Sequence, residues 1–312
     1  MIIYGSSDPG ALLFIKENII SKSKHKFRKI NNALLLKKNI NNTKVLAVLT
    51  GSALGNSIDK KLCEWALKNN ILSISIIEHW TNFDKRFLLS NKKIYPNYIF
   101  VNDKHSKNIA IKQGLPRSKI VIFGNNYLYN LFKKNIKFIH HKHLNKMRKK
   151  ILFISEPITE DAFKTGSKII NSEFKCLDLI IKHAPIDWET CVKLHPREKQ
   201  SKYKNYRNIS KFVKEKNIIR LVNNYEIIIG INSMLLAEIG LIRNNVFSLR
   251  LNSKKNLRLS QLKIVDQIKN IDKLKKIFFK KNKIKNNGAA KINSFKQKIK
   301  FDNLIKKLER ND

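Results

Sequence analysis

Short runs of β-branched and aliphatic residues alternate with longer amphipathic stretches along most of the chain. In the first half, the strand-like runs are residues 2–4, 45–49, 72–77, 98–101 and 120–123. Between these runs, residues 9–20, 59–69 and 106–113 carry apolar side chains at helical spacing. Alternation of this kind is typical of a parallel sheet with helices on both faces. The pattern predicts a Rossmann-like domain over residues 1–132.

The same rhythm resumes later in the chain after an interruption. Further strands are predicted at residues 151–155, 190–194, 218–222, 226–231 and 246–251, and helices at 167–184 and 234–241. Residues 133–150 are rich in Lys and His and contain no acidic residue, which predicts a basic interdomain linker. The fold class is therefore expected to be α/β, with two Rossmann-like domains. The second domain is predicted over residues 151–258, and Lys-rich helices over residues 259–312.

The charge of the chain is strongly unbalanced. Lys and Arg number 64 against 23 Asp and Glu, a formal net charge of +41. Such an excess is typical of proteins that contact an anionic membrane or a nucleic acid. The excess Lys accompanies abundant Ile and Asn, and all three have A/T-rich codons, so compositional bias is the preferred explanation and a surface that contacts polyanions is the alternative. No nucleic-acid-binding motif is recognisable, which favours a membrane surface over nucleic acid.

Other features bound the cellular context. No window approaches the roughly 18–20 apolar residues that a bilayer crossing needs. The first residues lack the basic and apolar regions of a secretory signal. The three cysteines are scattered, with no pair at metal-ligand or disulfide spacing. We therefore expect a cytoplasmic protein, with peripheral contact to the inner face of the membrane as a further expectation.

Candidate chemistry lies where predicted strands of the second half end. Ligands of open α/β sheets bind at the carboxyl ends of strands, where backbone N–H groups can face anions. Glu156, His195-Pro196 and Asn232-Ser233 each follow such a strand. A histidine there can donate to a phosphate or ribose hydroxyl, and Ser233 is expected to cap a helix and help hold a diphosphate. The alternative for both residues is an ordinary structural role, a strand-end hydrogen bond for His195 and helix capping alone for Ser233.

These segments carry a family resemblance. Residues 192–196 read Val-Lys-Leu-His-Pro, and residues 230–238 read Gly-Ile-Asn-Ser-Met-Leu-Leu-Ala-Glu. Together they resemble the C-terminal domain of GT-B-fold enzymes, a resemblance that implies two Rossmann-like domains facing a cleft. They are most similar to bacterial sialyl- and polysialyltransferases and to capsule and CDP-glycerol-type polymer transferases, and more distantly to UDP-N-acetylglucosamine 2-epimerases. The resemblance implies that His195-Pro196 and Asn232-Ser233 contact the phosphates of a nucleotide-sugar donor, and that Glu238 contacts its ribose. The Ser-Gly-Gly motif and paired glutamates of the epimerases are absent, which favours a transferase.

The first half offers two candidates for acid–base chemistry. The resemblance to GT-B enzymes implies that the domain over residues 1–132 is the acceptor side of the enzyme. Asp8 lies in the Gly-rich turn that follows the first predicted strand, where a carboxylate could deprotonate an acceptor hydroxyl, and its alternative role is to shape the turn before Pro9. His79 follows another predicted strand beside Trp80, an aromatic ring that could stack on a sugar, and an ordinary structural role is the alternative for His79. No carboxylate cluster or metal motif is recognisable, so no metal site and no required cofactor are expected.

The sequence thus predicts a glycosyltransferase-like enzyme of GT-B type. It would transfer a sugar or polyol phosphate from a CMP-, CDP- or UDP-linked donor to a surface-polysaccharide acceptor, either a glycan or a lipid-linked one. The alternatives are a nucleotide-sugar 2-epimerase or hydrolase of the same fold, and a noncatalytic basic protein that binds an anionic membrane or nucleic acid.

Overall fold

A computed structural model describes residues 1–32, 44–89, 92–140, 149–253, 256–279, 292–297 and 299–309. The chain divides into two compact units. Unit 1 comprises Met1–Tyr129 and Asn293–Asp312, and unit 2 comprises Asn130–Ile292. Across the described residues, every helix is too short or too polar to cross a membrane.

Fourteen strands and eleven helices are described in this chain. The strands are β1 Ile2–Gly5, β2 Phe27–Lys29, β3 Ala47–Thr50, β4 Leu72–Ile77, β5 Leu88–Leu89, β6 Lys92–Lys93, β7 Tyr98–Val101, β8 Ile120–Ile122, β9 Lys150–Ile154, β10 Glu189–Lys193, β11 Lys211–Phe212, β12 Ile227–Gly230, β13 Val246–Leu249 and β14 Asp266–Ile268. The helices are α1 Pro9–Asn18, α2 Ile58–Lys68, α3 Lys104–Lys112, α4 Asn126–His140, α5 Ile158–Thr165, α6 Glu173–His183, α7 Ile218–Asn223, α8 Met234–Gly240, α9 Arg258–Gln261, α10 Ile271–Phe279 and α11 Phe301–Glu309.

Unit 1 is built on a parallel sheet with the strand order β2-β1-β3-β4-β7-β8. The chain moves outward in opposite directions from β1 and from β3, so the carboxyl ends of these two strands form a topological switch point. The sheet is apolar on both faces, as a parallel sheet between helices requires. Ile2 and Phe100 pack on one face with α1 and α11, and Ile3 and Val48 pack on the other with α2.

Unit 2 repeats the architecture with the order β11-β10-β9-β12-β13-β14, again all parallel. Its switch point lies between β9 and β12. The core on one face joins Ile151, Phe153 and Ile229 to Leu177 of α6 and Leu274 of α10. The two parallel sheets confirm the predicted α/β fold class with two Rossmann-like units.

One predicted strand is wrong. Residues 218–222 form helix α7, although their β-branched composition suggests a strand. The Asn217 carboxamide oxygen accepts the backbone N–H groups of Ile219 and Arg220, at 3.0 and 3.1 Å. This cap satisfies the first free N–H groups of a helix and decides the local structure against side-chain propensity.

The helix predicted at residues 167–184 begins later than expected. Ser172 accepts the N–H of Lys175 at 3.1 Å and caps α6. The shorter helix α5 precedes it and ends at Gly166, which has a φ of +60°. A left-handed residue of this kind stops a helix at its carboxyl end.

The linker and the last segment also differ in detail from the expectation. Residues 133–140 continue α4, and residues 141–148 of the predicted linker lie outside the described residues. The segment 259–312 is not helical throughout, because β14 lies within it and pairs with β13 in the second sheet. Its last helix, α11, instead packs into the core of unit 1 through Phe301 and Ile305.

Candidate functional site

The switch point of unit 2 brings together the segments that the sequence singles out. The strand order places β10, β9 and β12 side by side. His195 follows β10, Glu156 follows β9 and Ser233 follows β12, so the three lie along one edge of the sheet. Because neighbouring strands are about 4.8 Å apart, β10 and β12 are about 10 Å apart, with the end of β9 between them. This span suits a phosphate group with its sugar.

Ser233 caps α8, as predicted. Its Oγ accepts the backbone N–H of Leu235 at 3.1 Å, and a hydroxyl that accepts one hydrogen bond can still donate another. Glu238 is half-buried one turn further along the helix. Residues four positions apart share a helix face, so Glu238 lies on the same face as Met234, the first residue of α8.

His195 is held in one orientation by its own turn. Its backbone N–H donates to Glu198 Oε2 at 2.9 Å, and its Nδ1 accepts the N–H of Arg197 at 3.2 Å. Because Nδ1 accepts a hydrogen bond, the proton of the neutral ring lies on Nε2. Pro196 is exposed and fixes the backbone of the turn. Arg197 in turn forms a bidentate ion pair with Asp161 of α5, with both distances 2.8 Å.

Glu156 is a site residue to which sequence reasoning assigns no role. Its Oε1 accepts the backbone N–H groups of Ile231 and Asn232, at 3.2 and 2.6 Å. The Glu156 carboxylate therefore occupies two of the backbone N–H groups expected to bind an anion beside Ser233. Burial raises the pKa of Glu156 to about 7, and the negative charge of Glu198 adds to this rise while the backbone N–H groups oppose it.

A buried ion-pair network stabilises the loops at this edge of the sheet. Lys202 Nζ lies 2.6 Å from both Glu173 Oε1 and Glu198 Oε1. Both carboxylate side chains are 0% exposed, and the Lys202 side chain is 10% exposed. Glu198 also accepts the hydroxyl of Ser155 at 2.9 Å, and Glu173 accepts the N–H of Thr159. The network thus ties the loops after β9 and β10 to α6.

We expect Lys202→Ala to lower the free energy of unfolding by about 3–5 kcal/mol, because it leaves two buried carboxylates without their cation. Urea denaturation measures the change. Lys68→Ala is the matched control, since Lys68 pairs with Glu64 at 3.0 Å on an exposed helix face. That substitution should cost about 0.5 kcal/mol or less. Equal losses in the two variants would show that the network does not stabilise unit 2.

In unit 1, Asp8 lies at the carboxyl end of β1 and caps α1. Its Oδ1 accepts the N–H of Gly10 at 2.8 Å, and its own N–H donates to Ser6 Oγ at 3.0 Å. The loop is held by Asp59 of α2, whose carboxylate accepts Ser6 Oγ and the N–H of Ser7. The turn-shaping role considered for Asp8 is therefore real. It leaves Asp8 anchored at the switch point of the first sheet.

Asp8 and His79 are brought together by a third residue, Glu78. Ligand atoms of the three side chains, the acid–base cluster, all lie within 4.8 Å of one another. His79 Nε2 is 3.5 Å from Glu78 Oε1. Glu78 is 2% exposed. Within the described parts of the chain, neither of its carboxylate oxygens accepts a hydrogen bond.

The pKa values of the two carboxyl groups of the acid–base cluster are shifted in opposite directions. Burial raises the pKa of Glu78 well above its ordinary value, and the negative charge of Asp8 raises it further. Burial also acts to raise the pKa of Asp8, but His79, the Gly10 N–H and Arg86 together hold it below its ordinary value. Like charges at this distance cannot both ionise easily. The two pKa directions favour one proton on Glu78 beside a charged Asp8, and a Glu78 carboxyl that holds this proton can donate it in a hydrogen bond to Asp8.

The surroundings hold the cluster in place. The Glu78 carbonyl accepts the carboxamide of Asn102. Arg86 is buried and donates from Nη1 to the carbonyl of Ser52 at 3.1 Å and from Nε to the carbonyl of Thr81 at 3.1 Å. Two carboxylates and an imidazole are also a donor set that divalent metals accept. A metal is therefore the chemical alternative to a shared proton at this position.

Comparison with solved structures identifies the fold. The chain is similar to UDP-GlcNAc 2-epimerase of Methanocaldococcus jannaschii in complex with UDP-GlcNAc and UDP, with TM-score 0.58, 14% identity, and coverage of 94% of this chain and 97% of that one. It is similar to the Neisseria meningitidis enzyme bound to UDP-GlcNAc, with TM-score 0.56, 12% identity and coverage of 89% and 90%. For the Rickettsia bellii enzyme the values are 0.57, 14%, 99% and 95%. The sequence matches no protein-family model and no curated protein.

These similarities span nearly the whole chain, so the chain shares the GT-B-type fold of these proteins, with one parallel α/β sheet in each unit. The resemblance predicted from residues 192–196 and 230–238 is confirmed at the level of fold. At 12–14% identity the comparison establishes the fold alone.

Proposed function

We propose that the protein is a nucleotide-sugar-dependent enzyme of GT-B type that transfers a sugar, or a polyol phosphate, to a surface-polysaccharide acceptor. The observation that carries the proposal is the unit 2 switch point. There, a histidine with its proton on Nε2, a capping serine and a helical glutamate line one sheet edge. Phosphate and ribose are the groups that such donors and acceptors bind.

In the proposed complex, His195 and Ser233 donate to phosphate oxygens of a CMP-, CDP- or UDP-linked donor. Asn232 lies beside them, Pro196 holds the turn, and Glu238 accepts the ribose hydroxyls. The similar solved structures include epimerases in complex with UDP-GlcNAc, which supports a nucleotide sugar as the ligand class. No cofactor is required in this proposal.

The acid–base cluster supplies the proton transfer. Asp8, the charged carboxylate, takes the proton of an acceptor hydroxyl, whose oxygen forms a bond to the anomeric carbon of the donor. The bond from that carbon to the phosphate oxygen breaks, and the nucleotide leaves with the electron pair. Protonated Glu78 orients Asp8 by donating to it, and His79 supplies positive charge that keeps Asp8 ionised. A general base of this kind contributes about 10²–10⁴-fold to the rate.

Epimerisation or hydrolysis of the donor is the second candidate, favoured by the epimerases among the similar structures. The two are separated by incubating UDP-, CDP- and CMP-sugars with and without a polysaccharide acceptor and following the donor by NMR. Transfer requires the acceptor for nucleotide release. A sugar that is epimerised at C2 and still attached to its nucleotide would establish an epimerase. Release of the nucleotide without an acceptor would establish a hydrolase. The same assay after chelation tests for a metal at the acid–base cluster, and we expect activity to persist.

Donor affinity should depend on the charge of Glu156. Glu156 binds the N–H groups next to Ser233, so its negative charge opposes the donor phosphates. With a pKa of about 7, Glu156 is mostly protonated at pH 6 and mostly charged at pH 8. We therefore expect the affinity for a nucleotide sugar to fall about tenfold between these two values. A nucleotide sugar is the proper probe, because its phosphodiester groups do not titrate in this range.

Glu156→Gln is the test variant, because the amide keeps an oxygen for the two N–H groups and carries no charge. Its affinity, measured by titration calorimetry, should be independent of pH over this range and equal to or higher than that of the unchanged protein at pH 8. A purely structural role predicts the opposite, namely weaker binding with the pH dependence retained.

A further inference from the structure

Exposed large apolar side chains are concentrated in one short segment of unit 2. Over the described residues, the exposed ones are Leu88, Phe163, Ile169, Ile170, Ile186, Ile271 and Phe279. Three of them fall within residues 163–170, which we call the apolar loop. Phe163 is 91% exposed and Ile170 is 61% exposed. Such exposure over a short contiguous segment is typical of an interaction surface.

The apolar loop is also locally basic. Its only charged residues are Lys164 and Lys168, and both are exposed. The acidic residues just before it face other partners, because Asp161 pairs with Arg197 and Glu160 lies 3.4 Å from Lys202. Apolar tips flanked by lysines, without acidic residues among them, match the chemistry of an anionic lipid surface.

The backbone presents the loop at a defined place. Gly166 ends α5 in the left-handed conformation, so the chain turns between Phe163 and the two isoleucines. At the other end, Asn171 donates to the carbonyl of Leu251 at 3.3 Å, just beyond the carboxyl end of β13. The apolar loop therefore lies at the carboxyl edge of the second sheet, the edge that carries His195 and Ser233.

We propose that the apolar loop docks unit 2 on an anionic membrane surface. Phe163, Ile169 and Ile170 enter the boundary between headgroups and acyl chains, and Lys164 and Lys168 lie at the lipid phosphates. Lipid phosphates attract nearby lysines. Apolar side chains that enter the boundary between headgroups and acyl chains leave water, which adds favourable free energy to binding. The surface would place the donor site next to a lipid-linked acceptor. This role in bringing donor and acceptor together rests on the proposed function, whereas membrane docking itself needs no nucleotide.

Co-sedimentation of the full chain with vesicles tests the proposal, using phosphatidylcholine alone and phosphatidylcholine mixed with phosphatidylglycerol. Phe163→Ser with Ile170→Ser removes two apolar tips that make few contacts, so the fold should survive, as thermal melting would verify. The matched control is Ile186→Ser with Ile271→Ser, which removes two exposed isoleucines that each neighbour an aspartate.

We expect the chain to bind the anionic vesicles, the loop variant to bind about tenfold more weakly or worse, and the control variant to bind normally. In Phe163→Trp, the added fluorescence should shift to the blue with these vesicles. Equal binding by the loop variant would overturn the proposal and assign the attraction to the net positive charge elsewhere. Absence of vesicle binding, or self-association that depends on Phe163 in light scattering, would also overturn it. Nucleotide titration of the loop variant separates this outcome from failure of the donor site.

Discussion

Asp8→Asn lowers kcat by about 10²–10⁴-fold and leaves donor affinity unchanged, if Asp8 is the general base. Asparagine caps a helix as well as aspartate does, so the bond from the Gly10 N–H and the start of α1 survive. What is lost is the ability to accept a proton. Steady-state turnover with acceptor, together with donor titration, measures the two effects separately.

Glu78→Gln has a different expected outcome, which makes the shared proton testable. A glutamine amide can donate to Asp8 just as protonated Glu78 does, so turnover near neutral pH should be largely retained. If Glu78→Gln is as damaging as Asp8→Asn, then Glu78 itself exchanges protons with the substrate and the division of roles is wrong.

The pH profile follows from the two pKa directions. Turnover should fall at acid pH as the proton returns to Asp8, and the lowered pKa of Asp8 places this limb below the ordinary range of a carboxyl group. Turnover should fall again at higher pH, as Glu78 loses its proton through its raised pKa. In Glu78→Gln only the acid limb should remain.

Asp103→Asn is the control for these variants. Asp103 caps α3 at the carboxyl edge of the same sheet, where it accepts the N–H of Ser106 at 2.7 Å. The substitution makes the same chemical change at an equivalent place, and we expect it to leave kcat unchanged. A comparable loss in this variant would show that the Asp8 effect is structural.

His195→Ala and Ser233→Ala should each weaken donor binding by about 10–100-fold, because each removes a hydrogen bond to a charged phosphate. His195 is half-buried, and its ring is oriented by Arg197, so the loss should appear in affinity rather than in stability. Calorimetric titration with the donor measures both variants.

Ser233→Ala also removes a helix cap, which costs about 1 kcal/mol of stability. Ser172→Ala is the matched control, since Ser172 caps α6 through an equivalent 3.1 Å bond at the same sheet edge. If Ser172→Ala weakens donor binding as much as Ser233→Ala, the effect belongs to the cap and not to a phosphate contact. For His195→Ala, His183→Ala at the end of α6 serves as the corresponding control.

The sequence was sufficient for the fold because the buried strands are nearly continuous apolar runs between amphipathic helices. It failed where local signals compete, as at α7, where β-branched residues suggest a strand and the Asn217 cap imposes a helix. The edge strands β2 and β14 were not predicted, because they read Phe-Arg-Lys and Asp-Gln-Ile and so contain no apolar run.

The candidate site shows the same division. Asp8, His195 and Ser233 could be singled out because each lies within four residues of the end of an apolar run. Glu78 could not, because its importance comes from Asp8, which is distant in the chain and is brought near only by the pairing of β1, β3 and β4. The signal available was a carboxylate at the end of a buried strand, next to a histidine already selected.

The most direct test of the account is calorimetric titration of the unchanged protein with UDP-, CDP- and CMP-linked sugars. We predict that at least one of them binds at a single site, and that His195→Ala and Ser233→Ala weaken this binding while Ser172→Ala does not. Absence of binding for all three, at concentrations up to about 1 mM, where enzymes of this kind bind their substrates, would contradict the donor site and the function proposed from it.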